Sequence, residues 1–499
     1  MFRRLSAAIA VLAGSTVPAP RPARFTPEQV YVADRLIQAL GPGPKLSASY
    51  DAARTPGFDA NYWANSDTLS ADAANSPGVR ATLRERARYE SANNSFVTGL
   101  ELSVSNDLIG TGPKLRSRLG SKVFNRQVEA AWSEWADEVD LAGKLRLARR
   151  CQIHDGEAVL LLVSNPGMDH EVKLDVVLVE ADRLATPDLA VDDPLAIDGI
   201  RFDRFGNPTE YHVLNDHPGG NRFSSRPLDY TTYPASNVVH WFRDSRPGQF
   251  RGIPDITPAM LMLSRVRAFA LATLSAAQTA ANIKGLIQSD MSPDADAVPD
   301  DVSSWANVDV PDGTGMVLPF GWKWMQAKAE HPQTTYREFT RELKGEIARC
   351  VLVPRNLALG DSSDSNFSGM RADQAPYYRS IDVDREQIRT RVLNRVFRRW
   401  LREARLIDGL IPRAAQMGVP HTWLWPGFRY VEPLKEAQAE DVRLKNGTAS
   451  YTQILAERGV DPDEHREELE SEGDLRAIAA ASRDGGAQRE QPEEAQGDS

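Results

Sequence analysis

Apolar positions along this 499-residue chain change their period twice, and the changes divide it. Phe25 to Leu46 sets Val30, Val32, Leu36, Ile37 and Leu40 at helical spacing, and the polar stretch Ser47 to Gly78 reads as loop. A helix is predicted from Val79 to about Asp107, stopping near Gly110-Thr111-Gly112. A second, Val123 to Arg150, carries Val128, Ala131, Trp132, Trp135, Val139 and Leu145 on one side. Then the period shortens. Glu157–Val163, Val172–Glu180, Gly199–Phe205, Pro208–Leu214 and Asn237–Phe242 read as strands, with a hairpin turn across Asp203–Pro208. Gln249–Pro254 closes this block, and Asp255 could cap a helix that begins near Thr257 and runs to about Ile287, Ala-rich in its second half. Ser289–His331 is rich in Asp, Pro and Gly and reads as a small unit with strands. Thr334–Leu352 is helical, and Leu434–Leu444 and Ser450–Arg458 are shorter helices beyond the aromatic stretch Trp423–Tyr430. A β-rich block embedded in helices makes the fold class α+β.

The most unusual stretch interrupts helix in mid-chain. Pro354 cannot continue a helix, because it lacks an amide hydrogen and clashes with the preceding turn. Gly360-Asp361 is turn chemistry, and Ser362, Ser363, Asp364, Ser365 and Asn366 can all bond their own backbone. From Arg371 an apolar stripe resumes at Ile381, Ile388, Val392, Val396 and Trp400, in a helix reaching about Leu406. Such polarity in a loop held between helices suggests one that meets something passing it.

Length allows two to four domains at roughly 150 residues each, and 41% hydrophobic content argues against extensive disorder in the body. The net charge of −10 is concentrated: Asp461 to Ser499 holds thirteen Asp and Glu against four Arg, which reads as a solvated, partly disordered tail. An acidic chain is a poor tight binder of duplex DNA, whose affinity comes from Lys and Arg neutralising phosphates. It can still form a surface that DNA slides past. Cys151 and Cys350 make neither a disulfide framework nor a tetrahedral zinc site, and Cys350 reads as a buried thiol. Met1–Ala23 opens with the arginine pair Arg3-Arg4, then has an apolar run followed by small residues and prolines, the outline of a secretory signal peptide or of an amphipathic start to a Pro-rich arm. No other apolar run reaches eighteen residues, so no membrane-spanning segment is expected.

Catalytic chemistry is not legible. The eight histidines include no zinc-helix spacing, and there is no HExxH, no G-x-S-x-G and no G-x-x-x-x-G-K-[ST]. Gly110-Thr111-Gly112 lacks the third glycine and preceding strand of a phosphate loop. His154-Asp155-Gly156-Glu157 and Ala181-Asp182 hold carboxylates that strand-end turns explain as well as acid–base work does. The helix from Arg379 to Arg405 holds nine arginines. Either it contacts nucleic acid, or its polar faces pair with acidic neighbours, including other copies of the chain. The second reading is favoured, because no aromatic side chains interleave with the arginines.

In order along the chain come SYDAAR (Ser49–Arg54), RARYESANNSFVTGLELSVSNDLIGTG (Arg86–Gly112), AAWSEWADEVD (Ala130–Asp140), HDGEAVLLL, VEADRL (Val179–Leu184) and RFDRFGNPTEYHVL (Arg201–Leu214). VVHWFRDSRPGQFRGIP (Val238–Pro254), the Pro354–Ala372 loop with its flanks, and VEPLKEAQAEDVRLKNGTASYTQILAERGVDPDE (Val431–Glu464) follow. In this order and coverage the chain resembles bacteriophage portal proteins of the lambda type. Asn366-Phe367-Ser368-Gly369 departs from the pattern, which usually has Tyr where Phe367 stands.

The resemblance implies a homo-oligomeric ring, usually of twelve subunits, at one capsid vertex of the virion, assembled in the host cytoplasm. Double-stranded DNA passes through its channel, driven in by a terminase large subunit. A head–tail adaptor, the major capsid protein and a scaffold are further partners, and no enzyme activity, cofactor, metal or membrane is implied. Its divisions would be an arm (1–24), wing (25–255), first stem helix (256–288), clip (289–332), second stem helix (333–353), tunnel loop (354–370), long helix and wing return (371–430), crown (431–470) and acidic tail (471–499). Ala268, Ala270, Ala276 and Ala277 would pack the stem, and Trp305, Trp322 and Trp324 would lie in the clip facing terminase and adaptor. Asp361, Ser362, Ser363, Asp364, Ser365, Asn366, Phe367 and Ser368 would form the loop projecting into the channel. An exported hydrolase or binding protein is the alternative, resting on the N-terminus.

Overall fold

The computed structural model describes residues 66–186, 195–220, 229–282, 286–289, 322–325, 333–363, 366–428 and 432–473. The arm and the expected N-terminal helix therefore lie outside the described residues, as do Trp305 and most of the clip. Chain contacts divide at Thr68, and the following concerns the unit from Leu69 onward.

After a short helix α1 (Ala71–Ala74), capped by Ser70, come α2 (Pro77–Asn93) and α3 (Ser95–Ile109). The single helix expected from Val79 to Asp107 is thus two. Asn94 leaves helical geometry, and its side chain accepts from the Phe96 amide to start the second. The next expected helix also divides, into α4 (Lys122–Glu138) and α5 (Leu141–His154). Asp140 adopts φ 46° between them and accepts from the Gly143 amide. Strand β1 (Lys114–Ser117) precedes α4 and pairs antiparallel with a strand from near the other end of the chain.

Two antiparallel sheets follow. One has the order β3 (Leu174–Val179), β2 (Glu157–Ser164), β8 (Val238–Phe242). The other runs β4 (Ala196–Ile197), β5 (Ile200–Phe202), β6 (Pro208–Leu214), β7 (Tyr230–Pro234). β2 explains its own unbroken apolar run. Val159 and Leu161 point to a small core with Ile200, Tyr211 and Val213, while Ala158, Leu160 and Leu162 point to the main core. Alternate side chains take opposite faces, so a strand covered on both sides needs no polar positions.

The expected helix at Thr257 begins as a 3-10 turn, Thr257–Ala259, and continues as α6 (Met260–Asn282). Asp255 does not cap it; its carboxylate takes the Arg149 guanidinium at 2.7 Å. The helix stops short of the expected Ile287, which lies in β9 (Leu286–Ser289), paired antiparallel with β10 (Trp322–Met325). α7 (Gln333–Ala348) returns beside α6, with Phe269 stacked on Tyr336 at 5.7 Å and edge-on to Phe339 at 5.4 Å. Then come α8 (Arg355–Leu359), α9 (Phe367–Ile388), a π-turn (Arg389–Leu393), α10 (Asn394–Ala404), β11 (His421–Leu424), α11 (Pro433–Lys445) and α12 (Tyr451–Glu457). β11 is the partner of β1. Residues 462–473 are helical, which carries helix three residues past the expected boundary at 470 into the acidic tail.

The main core is aromatic. Trp132 touches Trp135, Phe397, Trp400 and Trp423 at centroid distances of 4.9, 5.3, 5.4 and 5.4 Å, joining α4 to α10 and β11. The stripe expected on the long helix is buried throughout, from Ile381 to Trp400. Trp132→Ala is expected to cost about 3–5 kcal/mol by leaving a cavity at this junction, read as a fall in the denaturant midpoint with unchanged slope.

A second core interaction is ionic. Glu157 and Arg251 are both fully buried, and the Arg251 Nε lies 3.0 Å from each Glu157 carboxylate oxygen. Arg251 also donates to the Leu184, Asp198 and Ala181 carbonyls. Glu157 accepts further from Arg84, from the Gly252 amide at 2.9 Å and from His240 Nε2 at 2.9 Å. Burial pushes the Glu157 carboxyl up, but Arg251 and His240 outweigh it and hold it well below the usual range. Burial also pushes the His240 pKa down, against the pull of Glu157, so its neutral ring donates to the carboxylate. The crossing is tight: a Cβ on Gly252 would meet the Gly156 carbonyl oxygen at 2.1 Å. Arg251→Ala is expected to destabilise by about 3–5 kcal/mol, because Glu157 would stay buried without its main partner. A thermal melt close to that of the parent protein would contradict this.

Candidate functional site

The site is built around the helix interruption, from α7 to the start of α9. α7 ends through a 3-10 turn (Arg349–Val351) with Leu352 at φ 62°, and Pro354 then starts α8 as its N-cap. Gly360, at φ 62°, ends α8 in the left-handed geometry that glycine adopts without a Cβ penalty. The polar stretch is therefore shorter than the sequence suggests. It runs from Gly360 to Asn366, because residues 355–359 are helical and α9 opens at Phe367.

Within it Asp361 and Ser363 come together. The Asp361 carboxylate accepts from the Ser363 amide at 3.0 Å. Arg337, on α7, reaches Ser363 Oγ at 3.0 Å and Asp361 Oδ2 at 3.4 Å, tying the loop back to the preceding helix. The Ser363 hydrogen bonds, with Arg341 and Arg337 adding, bring the Asp361 carboxyl down to about 2. Ser362 is exposed. Asn366 is not a free loop residue: it caps α9, its side chain accepting from the Gly369 amide at 2.6 Å. Phe367 and Ser368 belong to the first turn of α9, and Ser368 is exposed. Asp364 and Ser365 lie outside the described residues.

The stem candidates divide by helix face. Ala268 and Ala277 are exposed, whereas Ala270 and Ala276 are half-buried, Ala270 lying in the groove with Ile347 of α7. The outer face also exposes Leu261, Leu271 and Leu274. The span Thr257–Thr279 is long and apolar enough to cross a membrane by length and composition alone, although Arg265 and Arg267 interrupt it and it holds no unbroken apolar run of eighteen. Its root is tied to the body, since Arg267 reaches the Asn93 carbonyl at 3.2 Å and lies over the Tyr89 ring. Trp322 and Trp324 lie in β10, as the strand content expected of the clip requires.

The arginine-rich helix is largely self-satisfied. Arg385 bonds the Leu108 carbonyl, Arg389 pairs with Glu386, and Arg391 reaches the Phe242 carbonyl. Arg395 bonds the Ala235 carbonyl, Arg398 the Asn394 carbonyl, Arg399 pairs with Glu403, and Arg405 bonds the Ala415 carbonyl. Arg385, Arg391, Arg395 and Arg405 fasten the helix to other segments while Arg389, Arg398 and Arg399 bond within it, and more of these arginines go to backbone carbonyls than to the acidic neighbours expected.

The carboxylates near His154 are likewise structural. The Cys151 sulfur, a His154 ring nitrogen and an Asp155 oxygen lie within 4.8 Å of one another, a set able to hold a cation. Asp155 is committed to Arg88 at 2.6 Å, and His154 Nδ1 sits 3.3 Å from Glu101. Burial lowers the His154 pKa, but bonds to Cys151 and Glu101 and the Asp155 charge prevail and push it up to about 10. A metal would have to displace both that proton and the Arg88 guanidinium. Because the folded pKa is raised, the His154 contribution to stability is complete below pH 6.5 and lost as pH rises through about 10. His154→Leu should therefore lower Tm at pH 7 and flatten its decline toward pH 10, measured by thermal melts across that range.

The family described as "Phage portal protein, lambda family" matches residues 59–385. A probable portal protein of Halomonas phage phiHAP-1 is 24% identical over 449 residues, covering 84% of this chain and 85% of its own. Solved chains with weaker likeness include one from the virion of a native gene transfer agent particle, with TM-score 0.41 and 13% identity, covering 77% of this chain and 94% of that chain. Another, from the neck of an empty particle computed with C6 symmetry, has TM-score 0.43 at the same identity and coverage.

Proposed function

This chain belongs to the lambda family of phage portal proteins, and from that premise we propose that it closes into a ring, usually of twelve, whose channel conducts double-stranded DNA into and out of a capsid. The observation that carries this reading is the outer face of α6. Leu261, Ala268, Leu271 and Leu274 leave an apolar stripe in water along one helix. Adjacent copies in a ring would cover it, by a heterologous contact that repeats and closes.

In this reading α6 and α7 are the stem, the segment carrying β9 and β10 is the clip that meets terminase and adaptor, and residues 360–366 are the tunnel loop. The loop's chemistry suits a conduit. Asp361 carries a negative charge beside Arg337 and Arg341, so its net electrostatic pull on phosphate is small, and Ser362 can exchange hydrogen bonds with a passing backbone. Weak, sequence-independent contact permits sliding, since affinity grows with each neutralised phosphate. The chain would act as a non-enzymatic vertex component of the virion that also contacts the capsid protein and scaffold.

Electron microscopy of the purified full chain tests the ring directly: closed rings are expected, and a monomer or dimer under all conditions would sink the proposal. Ala268→Asp should abolish rings while leaving the subunit's own stability within about 0.5 kcal/mol, because the position is exposed until a neighbour covers it. Normal ring yield would mean that this face stays in water. Deleting residues 361–365, which spares the Asn366 cap, should leave rings intact but impair DNA packaging or retention in particle assays. Normal packaging would remove the loop from the channel.

A further inference from the structure

Beyond the channel, the structure carries a second charged surface, at the junction of β1 and α4. Lys114 and Arg116 alternate along β1, where residues two apart share a face, and Arg118 lies just past the end of the strand. Lys122 and Arg126 follow one helical turn apart on α4, where residues four apart are neighbours. Four of these five, all but Arg118, line a cleft of about 700 Å³. Its opposite wall is the acidic helix of residues 462–473. Arg116 meets Asp461 at 3.3 Å and Asp463 at 2.5 Å, Lys114 lies 3.8 Å from Glu464, and Arg126 pairs with Glu467. The cleft also holds Glu129 and Asp137, and Glu129 is committed to the Ser117 amide at 2.6 Å.

We propose that this basic strip is a binding surface for the phosphate backbone of DNA, and that the acidic C-terminal helix occupies it in the free chain as an internal competitor. The helix is suited to release. Past Pro462 it buries no side chain among the described residues, so ion pairs are its main tether. Three of those four pairs involve side chains more than a third exposed, and such pairs are individually weak and screened by salt. Duplex DNA presents a charge about every 1.7 Å along its axis, denser than a helix bearing four carboxylates on one side. The proposal rests on the portal reading only for the identity of the polyanion.

The test uses the full chain and a short blunt duplex, with affinity measured across a salt series. Replacing Asp461, Asp463, Glu464 and Glu467 by Asn or Gln should raise affinity and steepen log Kobs against log salt by about 2.7, or roughly 0.9 for each of three phosphates gained. Adding Lys114→Ala, Arg116→Ala and Arg126→Ala, which removes the three cations those carboxylates hold, should return both values to those of the parent. Neutralising Glu468 and Glu470, farther along the same helix, should change little. No gain in the first variant, a gain that survives the alanines, or an equal gain in the third would each overturn the proposal. In the unmodified chain, hydrogen exchange of residues 462–473 should accelerate when the duplex binds, and unchanged protection with DNA bound would also refute it. Ring formation is independent of all these readings, so failure here leaves the channel assignment standing.

Discussion

The sheets and the helices around them depend on one buried ion pair. Glu157 opens β2 at the end of α5, and Arg251 lies just past β8, close to the root of α6. Between them they hold the start of the central strand, the 3-10 turn at Ala181–Arg183, the Asp198 turn and the Gly252 backbone. A charge taken out of water this completely demands satisfied partners. Arg84, Arg251, His240 and a backbone amide supply them. Both sheets and α2 are thereby locked to one point, and Gly156 and Gly252 are the residues that let the two chain segments approach so closely.

From that point the architecture spreads in two directions. One face of β2 closes on the four-stranded sheet, and the other closes on the tryptophan-rich layer of α4, α10 and β11. The hairpin of α6 and α7 grows out of this body with its base buried at Leu263 and Val266 and the outer face of α6 in water. A rigid base and an uncovered apolar flank are what an element needs if it is to be completed by a neighbour rather than by its own chain.

Much of this was legible in the residues. The α+β class, the strand block, the apolar stripe through Trp400 and the two short helices near the end all follow from periodicity. The misreadings have local physical causes. Asn94 and Asp140 were passed over because the apolar period continues across them, yet each offers a side-chain oxygen to the following turn. Asn366 read as loop because it ends a polar run, although it caps a helix. Asp255 looked like a cap but was claimed by Arg149 from a helix a hundred residues earlier, a competitor that periodicity does not reveal. Glu157 read as a strand-end carboxylate, and nothing local distinguishes it from an exposed one.

By itself the sequence determined which segments are helix or strand, where the polar interruption falls and which family the ordered segments resemble, because those properties depend on neighbours a few residues apart. Tertiary structure alone decided the partners of the charges. It turned His154, Glu157, Asp155 and most of the arginines from candidate chemistry into fasteners. It narrowed the loop to the stretch from Gly360 to Asn366, and it set the acidic segment after Asp461 against a basic strip more than three hundred residues away. Electrostatic and packing energies depend on distance in space, and only the folded chain sets those distances.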